Sequence, residues 1–423
     1  MSSQVYWYTT KELTYLPKLN GNEKAEVVIV GGGMAGLSAA QRIIKEGCSV
    51  TLIEKDFCGS GASGKTSGFI TPESEIELSV LVSNYGSEKA KRIWEFVLSG
   101  VEIIRKNIIE NKIECDYQIQ DSLFIGNNNA GYGYAKKEHE IRKSLNYKST
   151  LHNSESIKNI IGSLAYVGGA QYPDTFGMNS FLYCQALRDI LINQGVKIFE
   201  QTSAVSIKEN LVITNEGSIS ADFIIVCADR FIPDLKRMEK EIYHVQTFLG
   251  ISKPLSDGDM DKVFPKNKMM VWDTDSVYNY FRAIGQNRLL IGGGDLLYTY
   301  ARSVSNNTER FKKRLTSYMK NKFPFLDMEL EYVWPGMLGV SKDLLPVMGT
   351  DPNSNKIWFV GAAAGLPWAA ALGVYAAEKF LSGRDEFDGV FSWKRNFAIG
   401  RRMQMLLTTP PTYAISHGIA KYL

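Results

Sequence analysis

Little in this sequence points to metal, disulfide or nucleic-acid chemistry. Its five cysteines (Cys48, Cys58, Cys115, Cys184 and Cys227) are scattered, with no CxxC pair and no histidine at ligand spacing. Neither a metal site nor a disulfide framework is expected, and a reducing cytoplasm is the expected compartment. Charge of one sign is missing too: 48 basic and 45 acidic residues leave a formal +3, and no basic run carries interleaved aromatics. Nucleic acid is therefore not an expected partner. The opening segment MSSQVYWYTTKELTYLPKLN has neither the basic start nor the apolar block of a secretory signal. One uncharged stretch, Ile357 to Ala377, is long enough to cross a bilayer. Gly361, Gly365 and Pro367 divide it into a short strand, a small-residue turn and a helix starting near Pro367, which predicts the last βα unit of a buried parallel sheet. No repeat or low-complexity linker is present, so the 423 residues are expected to build two interleaved domains.

What is present begins with a βαβ pattern. AEVVIV (Ala25 to Val30) reads as an apolar strand, MAGLSAAQRIIKEG as an amphipathic helix and SVTLIEK as a second strand. Ile76 to Ile113 carries helical periodicity through Leu78, Leu81, Val82, Ile93, Phe96, Val97, Val101 and Ile104. A helix is predicted from Phe181 to Gln194, followed by strands in VKIFE, Ala204 to Ile207, LVITN and ADFIIVCA. Between Tyr243 and Gly294 the segments VYNYFRAI and NRLLIGGG predict an antiparallel sheet.

Gly31, Gly33 and Gly36 form GxGxxG directly after the first strand, with Met34 and Ala35 in the first turn of the helix. Glycines there let the backbone approach a pyrophosphate at a helix N-terminus. Near the end of the second strand Glu54, followed by Lys55, stands where a carboxylate can accept from ribose hydroxyls and would repel a 2′-phosphate. Dinucleotide binding follows, and NADP is disfavoured. No second GxGxxG follows a strand, which argues against a pyridine nucleotide as reaction partner. The loop CGSGASGKTSGFI (Cys58 to Ile70) is too rich in glycine and serine to pack a core and suits a ligand.

At this loop the chain resembles the FAD-dependent oxidases of the D-amino-acid oxidase superfamily, in particular glycine, sarcosine and gamma-glutamylputrescine oxidase-like members. They carry a GASGRNSG-type segment, in which Lys65 here replaces arginine. The resemblance implies FAD contacts from Ala62, Ser63, Gly64, Lys65, Thr66 and Ser67, adenine contact at the backbone of Val205, and closure over the nucleotide around Ala228. Asp229 stands where the family has glycine, and its carboxylate is as readily read as solvated. Near the C-terminus, WPGMLGVSKDLLPVMG and WFVGAAAGLPWAAALG resemble the flavin-contacting segments, through Gly336, Leu338, Gly365, Leu366 and Pro367. Ala362 occupies a position where the family often has histidine, so no covalent or base role exists there. The helix starting near Pro367 would aim its positive end at the flavin pyrimidine, where charge accumulates on reduction.

These readings together predict an α/β protein with a Rossmann-like FAD-binding domain (residues 1–85, 150–238 and 330–423). An interleaved α+β substrate domain on an antiparallel sheet would comprise residues 86–149 and 239–329. For substrate contacts, Tyr278, Tyr280 and Arg282 alternate along one predicted strand face. Arg282 is a candidate carboxylate clamp and equally a surface ion pair. His244, one of four histidines, lies near the domain crossover and is as readily structural. The expected reaction is hydride transfer from the carbon beside an amine or amino-acid nitrogen to flavin N5, with oxygen or another electron acceptor reoxidising the flavin. Two rivals stand beside it. One is a dehydrogenase of a 2-hydroxy acid or polyol phosphate passing electrons to quinone at a membrane surface, where the tail RRMQMLLTTPPTYAISHGIAKYL could dock on lipid, although packing back onto the domain is the commoner fate of such a tail. The other is a catalytically silent flavoprotein subunit.

Overall fold

The computed structural model describes residues 4–73, 75–300 and 307–422. Strand Gly21–Val30 is the centre of the first sheet, with Gly217–Val226 on one side and Val50–Ile53 on the other, all parallel. Lys197–Phe199 extends it in parallel past Val50–Ile53. Ser354–Gly361 joins Gly217–Val226 in parallel, and Ala204–Lys208, Leu211–Thr214 and Val347–Asp351 complete eight strands. The central strand is covered on both faces: Val27 and Ile29 pack into one core cluster, Val28 and Val30 into another. That explains why its second half reads as an uninterrupted apolar run.

A second eight-stranded sheet runs in the order Leu330–Val340, Tyr243–Ser252, Arg288–Gly293, Asn279–Ile284, Met270–Asp273, Ser122–Gly126, Gly168–Tyr172 and Thr150–His152. It is antiparallel except where Met270–Asp273 runs parallel to Ser122–Gly126. The result is a mixed α/β fold with a Rossmann-like half and an antiparallel half, as the sequence predicts.

Sheet membership departs from the predicted boundaries in three places. Thr150–His152 and Gly168–Tyr172, assigned by sequence to the first domain, are hydrogen-bonded into the second sheet. So is Leu330–Val340, which pairs along its length with Tyr243–Ser252. Conversely, the helical stretch from Ile76 is two helices, Leu78–Tyr85 and Ser87–Glu110, broken at Gly86 (φ 77°). The longer one, placed by sequence in the substrate domain, buries Ile93, Phe96, Val97, Val101 and Ile104 in the core that holds Val27 and Ile29. Gly100 permits this: a Cβ there would lie 1.9 Å from the Pro367 carbonyl oxygen, so any side chain would push this helix off Leu366–Ser382.

The apolar stretch from Ile357 divides as predicted, into strand Ser354–Gly361, a turn, and helix Leu366–Ser382 with Gly365 at its N-cap (φ 128°). No helix among the described residues is long and apolar enough to cross a membrane. The tail forms helices Arg401–Leu407 and Thr409–Tyr422. The second packs back on the molecule, burying Thr412, Tyr413, Ser416 and His417.

Candidate functional site

The two halves meet around a cavity of about 310 Å³. One wall is the loop after the second strand, where Ala62, Ser63, Lys65, Thr66 and Ser67 reach the surface. The opposite side comes from the second sheet and its neighbours: Gln246, Thr247, Trp272, Tyr278, Tyr280, Gly336 and Leu338. Gly365, Leu366 and Ala369, in and before the first turn of helix Leu366–Ser382, line it too. That places the positive end of a 17-residue helix on the cavity. Ala414, His417, Gly418 and Lys421 of the last helix line it as well.

The loop is held in shape through its carbonyls. Trp334 Nε1 donates to the Lys65 carbonyl (3.2 Å), Trp7 Nε1 to that of Thr66 (2.8 Å) and Arg282 Nε to that of Ser67 (2.8 Å). All three donor side chains are fully buried. Arg282 also donates to the carbonyls of Met178 (2.8 Å) and Ala283 (3.2 Å). Burial pulls its guanidinium down to about 10. Its burial excludes the surface ion pair that the sequence also allowed. Arg282 does not line the cavity either; a buried guanidinium must spend its donors, and here three backbone carbonyls take them. Tyr278 and Tyr280 do line the cavity; the strand itself begins at Asn279, so Tyr278 stands just ahead of it. His244 is stacked on the Tyr243 ring (4.5 Å between centroids), and its neighbours Val245, Gln246 and Thr247 line the cavity in its place.

Around the glycine motif the backbone fits as closely as the spacing suggests. Gly31 (φ 110°) would place a Cβ 2.5 Å from the Cys227 carbonyl oxygen, and Gly36 would place one 1.9 Å from that of Gly31. Gly33 caps the helix Met34–Ile44, whose first N–H, at Met34, donates to Ser63 Oγ (2.9 Å). Glu54 is buried and already accepts from the Gly32 N–H (2.7 Å), the Asp56 N–H (3.1 Å) and the Ser60 hydroxyl (3.3 Å). Burial raises its carboxyl, and these donors oppose the rise. Val205 lies exposed on strand Ala204–Lys208, and Ala228 precedes the short helical turn Asp229–Leu235. Pro367 and Ala35 sit back from the cavity, within their helices. Asp229 is not solvated: at φ 46° its Oδ2 accepts from the Gly339 N–H (2.8 Å), tying the nucleotide-side turn to the second sheet.

A positively charged group surrounds this motif. The Lys55 ammonium sits 3.0 Å from the centroid of the Phe231 ring. Burial and then the charge of Arg230 lower both Lys55 and Lys65, so three cations crowd one region. Cations gathered against their own repulsion, beside a glycine turn and a helix N-terminus, suit a diphosphate.

A family model described as FAD dependent oxidoreductase matches residues 26–379. The chain belongs to this family. It is an FAD-dependent oxidoreductase of the D-amino-acid oxidase type. A probable oxidoreductase, OrdL, of Haemophilus influenzae is 26% identical over 403 residues, covering 91% of this chain and 90% of that protein. Gamma-glutamylputrescine oxidoreductase of Escherichia coli is 25% identical over 352 residues, 81% of each chain. Glycine oxidase from Geobacillus kaustophilus superposes with a TM-score of 0.76 at 17% identity, covering 89% of this chain and all of that one.

Several cavity residues of this oxidoreductase carried no signal in the sequence. His417 lies in a helix that reads as tail; its Nε2 is 2.7 Å from the Ser341 carbonyl, which can only accept. The ring proton therefore sits on Nε2, and Nδ1 accepts from the Tyr300 hydroxyl at 2.6 Å. Burial pulls His417 down to about 4. Glu73 and Glu75 line the cavity from the segment after the Ala62–Ser67 loop. Glu73 is bonded by the Thr71 hydroxyl and by the buried guanidinium of Arg142, which also donates to Glu138 (2.7 Å) and lies 3.6 Å from the centroid of the Tyr172 ring. Glu75 accepts from the Tyr278 hydroxyl (3.1 Å) and pairs with Lys421 (3.6 Å).

Proposed function

We propose that this flavoenzyme oxidises a small amine or amino acid, with the carbon beside the nitrogen held in the cavity between the Ala62–Ser67 loop and the start of helix Leu366–Ser382. The observation that carries the reading is this one chamber, where the loop expected to hold the flavin meets an aromatic wall of Trp272, Tyr278 and Tyr280. FAD, when bound, supplies the acceptor for a hydride from the carbon next to a neutral amine; the imine left behind is hydrolysed by water. The chain's part is to position and to shield. Gly31, Gly33, Gly36, Glu54, Lys55 and Arg230 would hold the nucleotide end. The loop carbonyls fixed by Trp7, Arg282 and Trp334 would keep the flavin in place, and the positive end of helix Leu366–Ser382 would favour the negative charge that reduction brings. The last helix would exclude water. No acid/base pair is needed for such a step. Relatives named as an oxidoreductase of gamma-glutamylputrescine and an oxidase of glycine support the substrate class.

The test is the visible spectrum of the purified holoenzyme, recorded anaerobically before and after addition of primary, N-methyl and amino-acid amines. At least one class should bleach the flavin bands, and readmitted air should restore them if oxygen is the acceptor. A yellow protein that no amine reduces would sink the reading.

A membrane-surface role for the tail draws on a separate observation. Met403, Met405 and Leu406 are exposed beside Arg401 and Arg402. Flotation with anionic liposomes should carry the protein upward if this helix docks on lipid, and should leave it at the bottom if it does not.

A further inference from the structure

The charges around the cavity narrow the substrate further, resting on the amine-oxidising reading above. Among the described residues no guanidinium lines the cavity; its cations are Lys65 and Lys421. Lys65 has Arg230 and Asp56 as its charged neighbours, on the nucleotide side. Arg282, a candidate carboxylate clamp by sequence and equally a surface ion pair, does not line the cavity and gives three bonds to backbone carbonyls. The acidic groups are distributed differently. Glu73 is neutralised from behind by Arg142, while Glu75, half-buried on the wall, is met among the described residues by one lysine, Lys421 of the last helix. That lysine's ammonium also lies 5.3 Å from the centroid of the Tyr278 ring. Tyr278 and Tyr280 lie 5.7 Å apart, and Phe69 meets Tyr280 edge-on at 5.7 Å. A carboxylate beside a group of aromatic faces is a cation site, and the chain's own ammonium already occupies it.

We propose that the part of the cavity beside Glu75, Lys421 and Tyr278 is a subsite for a second ammonium group of the substrate, which displaces Lys421 from Glu75 against the Tyr278 ring. The preferred substrates would then be amines with a cationic group remote from the reacting nitrogen, ahead of simple α-amino acids. A carboxylate in that subsite would face Glu75, and like charges there are repulsive. Lys421 acts as an internal placeholder, keeping Glu75 paired until such a substrate arrives.

The experiment uses the holoenzyme and three probes: 1,4-diaminobutane, n-butylamine and glycine. Calorimetric titration of the holoenzyme with its flavin chemically reduced beforehand gives affinity without turnover, and anaerobic bleaching of the oxidised form gives reduction. In the wild type the diamine should bind about tenfold or more tighter than n-butylamine, the scale of one charge-assisted hydrogen bond. Glu75→Gln should bring that ratio close to one, and Lys421→Ala, which leaves Glu75 in place, should raise it. Equal affinity for the two amines, a ratio unchanged by both substitutions, or glycine binding more tightly than either amine would overturn the subsite. The two readings fail separately. A diamine that binds in a Glu75-dependent way yet leaves the flavin oxidised keeps the subsite and removes the amine-oxidising function. Butylamine and diamine that bind alike and bleach alike do the reverse.

Discussion

Arg282 is picked out by sequence as a candidate substrate contact, and in the fold its buried guanidinium bonds three backbone carbonyls. Alternation along VYNYFRAI groups it with Tyr278 and Tyr280, and both tyrosines do reach the cavity. What the sequence does not contain is the position of the loop Thr66–Gly68, which lies over the arginine and takes its Nε donor. A guanidinium offers five donors in a fixed fork, and a lysine cannot reproduce three bonds to carbonyls of Ser67, Met178 and Ala283. Arg282→Lys is therefore expected to destabilise the fold by about 3 kcal/mol, since it leaves buried carbonyls unpaired. It should also loosen flavin binding while leaving the order of preference among substrates unchanged. Equilibrium denaturation and the ratio of flavin to protein absorbance check the first two, and the ratios of kcat/KM across an amine panel check the third. A selective loss of carboxylate-bearing substrates would restore the clamp.

His417 belongs to the same scale. Its imidazole is neutral, bonded on both nitrogens and depressed to about 4 from the usual value near 6.5. Because the unfolded chain takes up this proton at a higher pH than the folded one, stability falls as pH drops from about 6.5 toward 4. The loss is on the order of 2 kcal/mol at pH 5. Replacing His417 by Gln should shrink the difference between melting temperatures at pH 7 and pH 5. A difference as large as in the wild type would show that other groups carry the acid sensitivity.

At the level of elements, the βαβ unit, the division of the stretch from Ile357, and the antiparallel strands around Asn279–Ile284 were legible because local pattern decides them. Strand alternation, glycine turns and helix starts are properties of a few neighbouring residues. The less legible elements are those whose place depends on distant partners. Thr150–His152 and Gly168–Tyr172 carry no mark of which sheet they join, and Gly100 gives no hint that it lets Ser87–Glu110 lie against Pro367. The last helix is the clearest case. Its mixed apolar and basic residues read as a tail, yet it supplies His417 and Lys421 to the cavity. Removing residues 409–423 should expose the cavity further to solvent. Quenching of flavin fluorescence by iodide should then rise several-fold with the flavin still bound, and quenching that stays at the wild-type level would show that other elements shield the site.

For the whole molecule, the candidate site divides along the same line. The proposed nucleotide end, from Gly31 to Glu54 and the loop at Ala62–Ser67, is written in contiguous motifs. The proposed substrate end would draw on Glu75, Gln246, Trp272, Tyr300 and His417, cavity-lining side chains from separate stretches of the sequence that only the tertiary fold brings together. Fold and cofactor could thus be read from the chain, whereas the chemistry that selects a substrate could not.

The anchoring of the loop at Lys65, Thr66 and Ser67 has a consequence for assembly. Its three carbonyls are claimed by residues 334, 7 and 282, which lie in three widely separated stretches of the polypeptide. Each stretch must arrive before the loop settles, and the departure of any one leaves a buried acceptor without its donor. Retained yellow colour is then a report on the integrity of the entire polypeptide, and bleaching by loss of FAD would be an early sign of damage far from the flavin.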